Sequence, residues 1–228
     1  MYVKLAFVIA IVVGIIQVKA EEISGNIYKN VIFKDDFSAE KLSKDWKFYK
    51  SESKIVDGVL VGLMPEGADH NSVNSVVVSP FSDVEVSLKF KFEGSPNFTV
   101  AFNDSKYKGS HAGHICRVAF KLDQITLQDG KTGVFNNEIY EKRKSGKMDK
   151  ETSALLKTKS TRIKYSFEKS KWYDLVIRIK GDEMQVFIDG KVAGSFKSDG
   201  IAHATKNKPA LVVAKQAMHF DNLVFKTP

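Results

Sequence analysis

The stretch Lys171–Phe196, KWYDLVIRIKGDEMQVFIDGKVAGSF, decides the fold. Apolar and polar residues alternate in it over Leu175–Ile179 and again over Met184–Ile188. This period of two is typical of β-strands that bury one face. Asp189 and Gly190 follow the second run, and Asp-Gly favours a tight hairpin because both central residues of such a turn need positive φ. The stretch therefore predicts two or three short antiparallel strands.

The same alternation recurs along the chain, most clearly over Val84–Phe92, where five apolar side chains share one face of the predicted strand. Turns rich in Gly, Asp, Asn and Pro separate such runs, which is typical of an antiparallel sandwich. We therefore predict an all-β fold with a single domain over residues 21–228. We expect Trp172 and the alternation from Leu175 to Ile188 to anchor the back of this sandwich and to contribute no chemistry.

The first 20 residues have the pattern of a signal peptide. Lys4 supplies a positive start, an apolar run follows, and Val18 and Ala20 place small residues where a signal peptidase reads them. We predict cleavage before Glu21. The alternative is an uncleaved anchor, but the apolar run is shorter than the span of about 20 residues that a bilayer requires. The mature protein is thus expected to be exported, periplasmic or extracellular, with no stable membrane insertion after cleavage.

Positive charge is concentrated in one segment of the chain. Lys4 and Lys19 leave with the signal peptide, so the mature part keeps +6 of the net charge of +8. Residues 141–171 alone carry eleven Lys and Arg against four Asp and Glu. We read residues 136–171 as a basic insertion, with a short helix over Lys150–Lys159. Such a segment attracts polyanions, and an exported domain meets acidic polysaccharides rather than nucleic acid; the alternative is a solvated insertion without a ligand.

Cys116 is the single cysteine, so an internal disulfide is excluded and the core alone must stabilise the fold. In strand parity Cys116 shares a face with His114, Val118 and Phe120. We therefore expect Cys116 to be a small buried apolar residue. By the same parity, His114 is expected at the edge of the core.

Five features then follow one another in a recognisable order: the DDF at residues 35–37, Trp46, the VDGVL at residues 56–60, the hairpin at residues 172–190, and the HFDNLVF at residues 219–225. In this order they resemble the concanavalin A-like jelly roll, the superfamily of laminin G-like modules and family-16-type glucanases. The closest resemblance is to secreted 3-keto-disaccharide hydrolase-like domains, over nearly the whole mature chain. It implies an antiparallel two-sheet jelly-roll sandwich and a carbohydrate partner, although the fold hosts lectins, hydrolases and adhesion modules alike.

Two departures from these families bear on activity. Family-16-type glucanases carry Glu-x-Asp-x-x-Glu, which places two carboxyl groups about 5–5.5 Å apart for a retaining mechanism. No glutamate here is followed by an aspartate two residues later, which argues against that chemistry. The keto-disaccharide family shows Asn-Ser-Gly-Ile and then Glu-x-Gln-x-x-Asp, and the nearest stretches here, at residues 97–100 and 123–129, match only in part. Whether the protein is an enzyme stays open on the sequence.

The best candidate for a site is the stretch Asn103–Arg117, NDSKYKGSHAGHICR. Sugars are held by amides, acids and arginines that bond their hydroxyls, with an aromatic ring beneath. Asn103, Tyr107 and Arg117 fit those roles, and His111 is a candidate general acid or base. His111 and His114 also have a spacing that zinc sites use, although we identify no third ligand near them. The alternative is a polar surface loop without a ligand.

Three further residues complete the predicted site. Gln128 ends a predicted strand, and Glu138 and Lys142 follow in a segment that we expect to be a loop over the same face. Glu138 is the best acid for catalysis, and Gln128 and Lys142 are assigned to substrate binding. The alternative for Glu138 is a solvated loop residue.

The resemblance also implies a structural calcium ion. In related jelly rolls such an ion is held near the two ends of the domain, which here points to Asp35 or Asp36 and to Asp221. Carboxylate oxygens are ligands that this ion prefers.

Two functions are compatible with these observations. The first is an exported carbohydrate-active or carbohydrate-binding domain, with glycoside hydrolysis of 3-keto disaccharides as its activity. The second is a non-catalytic adhesion or envelope module that binds anionic glycans through the basic segment.

Overall fold

The computed structural model describes residues 21–228, so the predicted signal peptide lies outside the described residues. Strands account for most of the regular structure, and two short α-helices interrupt them, α1 (Asn137–Lys144) and α2 (Lys150–Thr158). In chain order the strands are β1 (Asn30–Asp35), β2 (Trp46–Tyr49), β3 (Lys54–Val56), β4 (Val59–Gly62), β5 (Ser72–Val76), β6 (Val84–Phe92), β7 (Asn97–Asn103), β8 (His114–Lys121), β9 (Gln124–Asp129), β10 (Ser160–Lys164), β11 (Trp172–Lys180), β12 (Glu183–Ile188), β13 (Lys191–Lys197), β14 (Ala210–Val213) and β15 (Met218–Thr227).

These strands form two antiparallel sheets. Sheet A has the order β13-β12-β11-β6-β15-β4-β3, and sheet B has the order β10-β9-β8-β7-β14-β5-β2. β4 pairs with the first half of β15, and β1 pairs with its second half, where Asp35 lies opposite Leu223. Sequence neighbours such as β5 and β6 lie in different sheets, as in a sandwich with long crossovers. The two-sheet antiparallel architecture confirms the predicted fold class.

The hairpin that suggested the fold is formed by β11, β12 and β13. Asp189 and Gly190 have φ values of 49° and 74°, which confirms the predicted turn. Ile177 and Val186 are opposite each other in the register and are fully buried. The prediction that Trp172 anchors the sandwich is wrong, because its side chain lies on the outer face of sheet A.

The parity of β11 explains this correction. Its inward positions are held by Tyr173, Leu175, Ile177 and Ile179, all of them buried. Successive side chains of a strand point to opposite faces, so Trp172 must face outward. Tyr173 is the aromatic residue that packs in the core, where its ring stacks on Phe90 at 5.5 Å between centroids.

Aromatic side chains from both sheets fill the centre of the sandwich. Phe90 of β6 lies 4.8 Å from Phe98 of β7, measured between ring centroids, and so connects sheet A with sheet B. Phe98 in turn stacks on Phe120 of β8 at 4.6 Å. Phe220 of β15 meets the edge of Phe98 at 5.4 Å. Large rings in offset or edge contact bury much apolar area and add specific stabilisation.

The predicted basic insertion, residues 136–171, forms two helices and then β10, which is an edge strand of sheet B and pairs with β9. α2 matches the predicted short helix, and its N-terminus is capped by Asp149, whose carboxylate accepts a hydrogen bond from Thr152 N at 2.6 Å. α1 begins after Asn136, so Glu138 and Lys142 lie on a helix where a loop was expected. Lys142 pairs with Asp149 at 2.8 Å and joins the two helices. Within residues 21–228, neither helix is long and apolar enough to cross a membrane.

A lysine at position 186 tests the assignment of the inner face. Val186 is fully buried, so Val186→Lys places an unpaired charge in the core and is expected to lower the free energy of unfolding by about 3–5 kcal/mol. Val192→Lys is the matched control, because Val192 is 42% exposed on the next strand. Urea unfolding followed by circular dichroism gives both values. Equal midpoints for the two variants would contradict this packing.

Candidate functional site

An open hollow of about 690 Å³ lies on the outer face of sheet B, where β2, β5, β14, β7 and β8 run side by side. We call it the histidine pocket. Its lining combines three imidazoles, three ammonium groups and three aromatic rings, and none of the described lining residues is an aspartate or a glutamate. These nine residues are His70, His111, His114, Lys47, Lys108, Lys208, Phe48, Tyr49 and Tyr107.

The rim of the pocket is a loop that folds around Asp104. The Asp104 carboxylate accepts hydrogen bonds from His203 Nε2 at 2.8 Å and from Thr205 Oγ1 at 2.7 Å. Burial raises the pKa of Asp104, but these hydrogen bonds outweigh it and hold the pKa at about 2, so the group is ionised. Gly113 closes the loop with a φ of +70°, and a Cβ there would lie 2.0 Å from the Asp104 carbonyl oxygen. Only glycine fits this position.

A register shift turns His114 toward the pocket. Phe102 pairs with Cys116 but Asn103 pairs with His114, so β8 carries one extra residue at this point. Ile115 and Cys116 are therefore both buried, and His114 lies beside Asn103 on the outer face. The expectation that His114 shares the core face of Cys116 is wrong for this reason. The prediction that Cys116 is a buried apolar residue agrees with the structure, in which it is only 2% exposed. This burial raises the pKa of its thiol to about 12.

The hydrogen bonds of Asn103 fix the protonation of His114. Asn103 donates from Nδ2 to the carbonyl of Lys208 at 3.0 Å, so its Oδ1 faces His114 Nδ1 at 2.7 Å. An amide oxygen only accepts, so Nδ1 of His114 carries the proton. Burial, with the nearby charge of Arg117, lowers the pKa of His114 to about 4. The ring is neutral at pH 7, and Nε2 is left as an acceptor.

His111 is held by the basic insertion. Its ring stacks on Tyr140 of α1, with 3.9 Å between centroids and an angle of 7°. The rings of His111 and His114 are 6.2 Å apart, so two imidazoles line the same part of the pocket. Tyr107 also lines it and meets the ring of His203 edge-on at 4.9 Å. The structure thus brings together four predicted residues of the stretch at 103–117, namely Asn103, Tyr107, His111 and His114.

Arg117 and Gln128 lie beside the histidine pocket and bind each other. Arg117 Nε donates to Gln128 Oε1 at 2.7 Å across β8 and β9. The guanidinium also lies 4.7 Å from the centroid of the Phe135 ring. Burial lowers the pKa of Arg117 to about 10, and the group remains charged at neutral pH. Both side chains flank the pocket and neither belongs to its lining.

Glu138 and Lys142 lie elsewhere. They line a separate hollow between α1 and α2, together with Glu151 and Thr152. Glu138 is exposed to solvent, and Lys142 is occupied by its ion pair with Asp149. The structure does not bring either residue to the histidine pocket.

The predicted metal ligands do not assemble into a site. Within residues 21–228, no three His, Cys, Asp or Glu side chains come close enough to hold an ion together. The two ends of the domain are adjacent, but Asp36 binds Ser38 in one surface hollow while Asp221 lines another. His111 and His114 lack a third ligand as well. The described residues thus hold no cluster of three such side chains for either ion, and the calcium that the resemblance implies stays a prediction.

Sequence reasoning missed the opposite wall of the pocket. Phe48 and Tyr49 of β2 are 44% and 56% exposed, and His70 meets the ring of Tyr49 edge-on at 5.3 Å. The loop before β14 contributes Lys208. These residues are far from Asn103 in the chain, and only the pairing of β14 with both β5 and β7 brings them close. In the sequence, the local sign of this wall is the pair of aromatic residues Phe48 and Tyr49 in β2.

Solved structures show the same architecture at low sequence identity. A sialidase superposes with a TM-score of 0.62 at 11% identity, covering 90% of this chain and 19% of that one, so the chain spans about a fifth of the sialidase. The carbohydrate-binding module CBM66 from Bacillus subtilis gives a TM-score of 0.54 at 12% identity, over 80% of this chain and 96% of that one. A laminarinase from Flavobacterium sp. UMI-01 gives 0.58 at 11%, over 87% and 100%.

These likenesses establish the fold as a jelly-roll sandwich of the kind found in carbohydrate-binding and glycoside-hydrolase-like domains. The family model described as the 3-keto-alpha-glucoside-1,2-lyase-like domain matches residues 32–226. The chain belongs to this family, which confirms the resemblance seen in the sequence. A comparison with curated proteins found no match.

The stability of the folded protein is expected to depend on pH through the protonation of His114. The ordinary pKa of 6.5 applies in the unfolded chain, whereas the folded pKa is about 4. Above pH 6.5 both states carry a neutral ring, and as the pH falls toward 4 only the unfolded state gains the proton. The free energy of unfolding is expected to drop over this range by on the order of 2–3 kcal/mol from this residue.

Chemical unfolding at a series of pH values checks this, with His114→Gln as the comparison protein. The variant shares every other titrating group, so the difference between the two curves isolates His114. Parallel curves between pH 7 and pH 4 would show that the ring is not held neutral.

Proposed function

We propose that the protein is an exported carbohydrate-active domain that binds a 3-keto glucoside in the histidine pocket and cleaves it by elimination. The observation that supports this most is the composition of the pocket. Imidazole, amide and aromatic groups converge there without a carboxylate, in a chain whose family is described by a 3-keto-glucoside lyase.

The pocket has the groups that hold a sugar ring. Tyr49 offers exposed aromatic surface for the apolar face of a pyranose. Phe48, the preceding residue, stacks its ring on Trp46 instead. Neutral His114 offers Nε2 as an acceptor for a sugar hydroxyl, and Asn103 keeps the ring in that tautomer. The lysines at the rim supply donors. This pairing of an apolar wall with a few oriented polar groups is typical of small-ligand sites.

The chemistry of a 3-keto glucoside needs one base and no paired carboxylates. The ketone at C3 acidifies the hydrogen at C2. A base removes that proton, the electron pair of the C2–H bond forms a double bond between C1 and C2, and the C1–O bond breaks. The leaving alcohol takes up a proton, so no water is consumed. Imidazole is the most frequent general base in enzymes, and we assign this role to His111, which Tyr140 holds at the pocket.

Hydrolysis by two carboxyl groups finds less support in this geometry. Inverting and retaining glycosidases alike place a pair of Asp or Glu residues about the scissile bond. Glu138, the acid that the sequence favours, lies in the hollow between the helices. Elimination therefore accounts better for a pocket that is rich in histidine.

Turnover of methyl 3-keto-α-glucoside tests this proposal. The expected product is a conjugated enone with strong ultraviolet absorbance, and a substrate deuterated at C2 is expected to react more slowly. His111→Ala should lower kcat/KM by roughly 10²- to 10⁴-fold, as for loss of a general base. Glu138→Gln should retain activity, since its side chain is exposed outside the pocket.

Glu141→Gln on the same helix is the control for general effects on α1. Loss of activity in Glu138→Gln with full activity in His111→Ala would overturn the proposal. Release of methanol without formation of an enone, and at the same rate from the deuterated substrate, would indicate that the reaction is hydrolysis and not elimination.

A second candidate function is supported by charge. Lys47, Lys108 and Lys208 line a pocket without carboxylates, which favours an anionic glycan. In the basic insertion, Lys142 pairs with Asp149 and Lys171 with Glu168, but the eleven Lys and Arg of residues 141–171 still outnumber four Asp and Glu. Both the histidine pocket and the insertion are therefore candidate surfaces for the anionic ligand of a non-catalytic module.

Retention on a heparin resin distinguishes these surfaces. Replacement of Lys47, Lys108 and Lys208 by Ala is expected to lower the salt concentration at which the protein elutes. Each contact between a lysine and an anionic group of the resin adds to the salt dependence of binding. The matched triple change of Lys144, Lys147 and Lys150 on the insertion removes the same charge. Equal losses in the two triple variants would show that only net charge matters.

A further inference from the structure

A second hollow, of about 750 Å³, lies on the outer face of sheet A, on the far side of the sandwich from the histidine pocket. We call it the tryptophan hollow. Trp172 of β11 stands at one side of it, and the valines of β3 and β4 stand at the other. Lys91, His219 and Asp221 are among the polar residues between them.

The register of the strands places these groups in a row. Trp172 pairs with Lys91, Lys91 pairs with His219, and His219 pairs with Val61. Neighbouring strands lie about 4.7–4.9 Å apart, so three strand spacings separate the backbone of Trp172 from that of Val61. The indole lies 6.4 Å from the His219 ring, measured between centroids. The hollow between Trp172 and Val61 is wide enough for one pyranose ring with its hydroxyls.

Trp172 is the more exposed of the two tryptophans. Its side chain is 38% exposed, whereas Trp46, the other tryptophan, is only 4% exposed. The indole is also held in place, because Lys91 Nζ lies 5.2 Å from the ring centroid and is itself fixed by Glu93 at 2.7 Å. A large ring that is fixed and partly exposed is a suitable surface for the C–H face of a sugar.

Both lysines of the hollow are paired with acids outside its lining, whereas Asp57 and Asp221 belong to the lining, which disfavours an anionic ligand. Lys91 is paired with Glu93, and Lys89 is paired with Asp174 at 2.9 Å. Burial, together with Lys91, lowers the pKa of His219, so its ring is neutral at pH 7 and can donate and accept. Asp221 accepts hydrogen bonds from Asn222 at 2.7 and 2.9 Å, and each of its oxygens retains a free lone pair. This pattern favours an uncharged ligand with hydroxyl groups.

We propose that the tryptophan hollow is a second sugar site, which binds an uncharged pyranose ring of a glycan. The ring lies against Trp172, and its hydroxyls bond Asp221 and His219. The site does not depend on the activity of the histidine pocket. It would let one domain hold a neutral part of a glycan on sheet A while sheet B engages another.

Iodide quenching of tryptophan fluorescence tests the site, because Trp46 is buried and Trp172 is the indole that iodide reaches. The probes are laminarihexaose, cellohexaose and maltohexaose, all uncharged. At least one is expected to protect the protein from iodide at millimolar concentration. By calorimetry, Trp172→Ala should weaken its binding by roughly tenfold or more, which corresponds to about 1.4 kcal/mol. Val192→Ala, at an exposed position elsewhere on sheet A, should bind like the wild type.

Three results would overturn the proposal. The first is that none of the three probes protects Trp172 at concentrations on the order of 10 mM. The second is equal affinity of the wild type and Trp172→Ala. The third is loss of binding in Tyr49→Ala together with full binding in Trp172→Ala, which would place the sugar in the histidine pocket. That last result would leave the function proposed for the histidine pocket intact.

Discussion

The structure depends on the aromatic contact that connects the two sheets. Phe90 of sheet A and Phe98 of sheet B lie 4.8 Å apart, and Phe120 extends the cluster at 4.6 Å from Phe98. A disulfide is excluded by the single buried cysteine, so this core must stabilise the fold by itself. Because the rings hold the sheets together from within, the outer faces are free to vary. The histidine pocket and the tryptophan hollow lie on those outer faces.

The histidine pocket is a product of sheet order rather than of any local motif. β14 lies between β5 and β7, and so brings the aromatic residues of β2 and the histidines of the 103–114 loop to one surface. The basic insertion has a definite part in this. α1 supplies Tyr140, whose ring supports His111, while the charges of the helices are partly neutralised among themselves. The insertion is thus a support for the pocket as well as a basic surface.

Local signals made the fold predictable. The alternation over Val84–Phe92 and the Asp-Gly turn after Ile188 depend only on strand parity and turn geometry, and both appear in the structure. The sequence predicts only those site residues that lie close together in the chain, such as Asn103 and His111. One extra residue in β8 reverses the face of His114, and no periodicity reveals such a shift. The sequence does not reveal the helix that carries Glu138, because α1 buries only Ile139 and therefore has almost no apolar pattern.

The pairing of β1 with β15 has a consequence for how such a domain is used. Asn30 lies opposite Thr227, so the chain enters and leaves the sandwich at neighbouring points of one sheet edge. A domain of this kind can be inserted into a surface loop of a host protein, or circularly permuted, without breaking either sheet. Such a domain can therefore be transferred between proteins as an intact folding unit, with both of its outer faces still accessible.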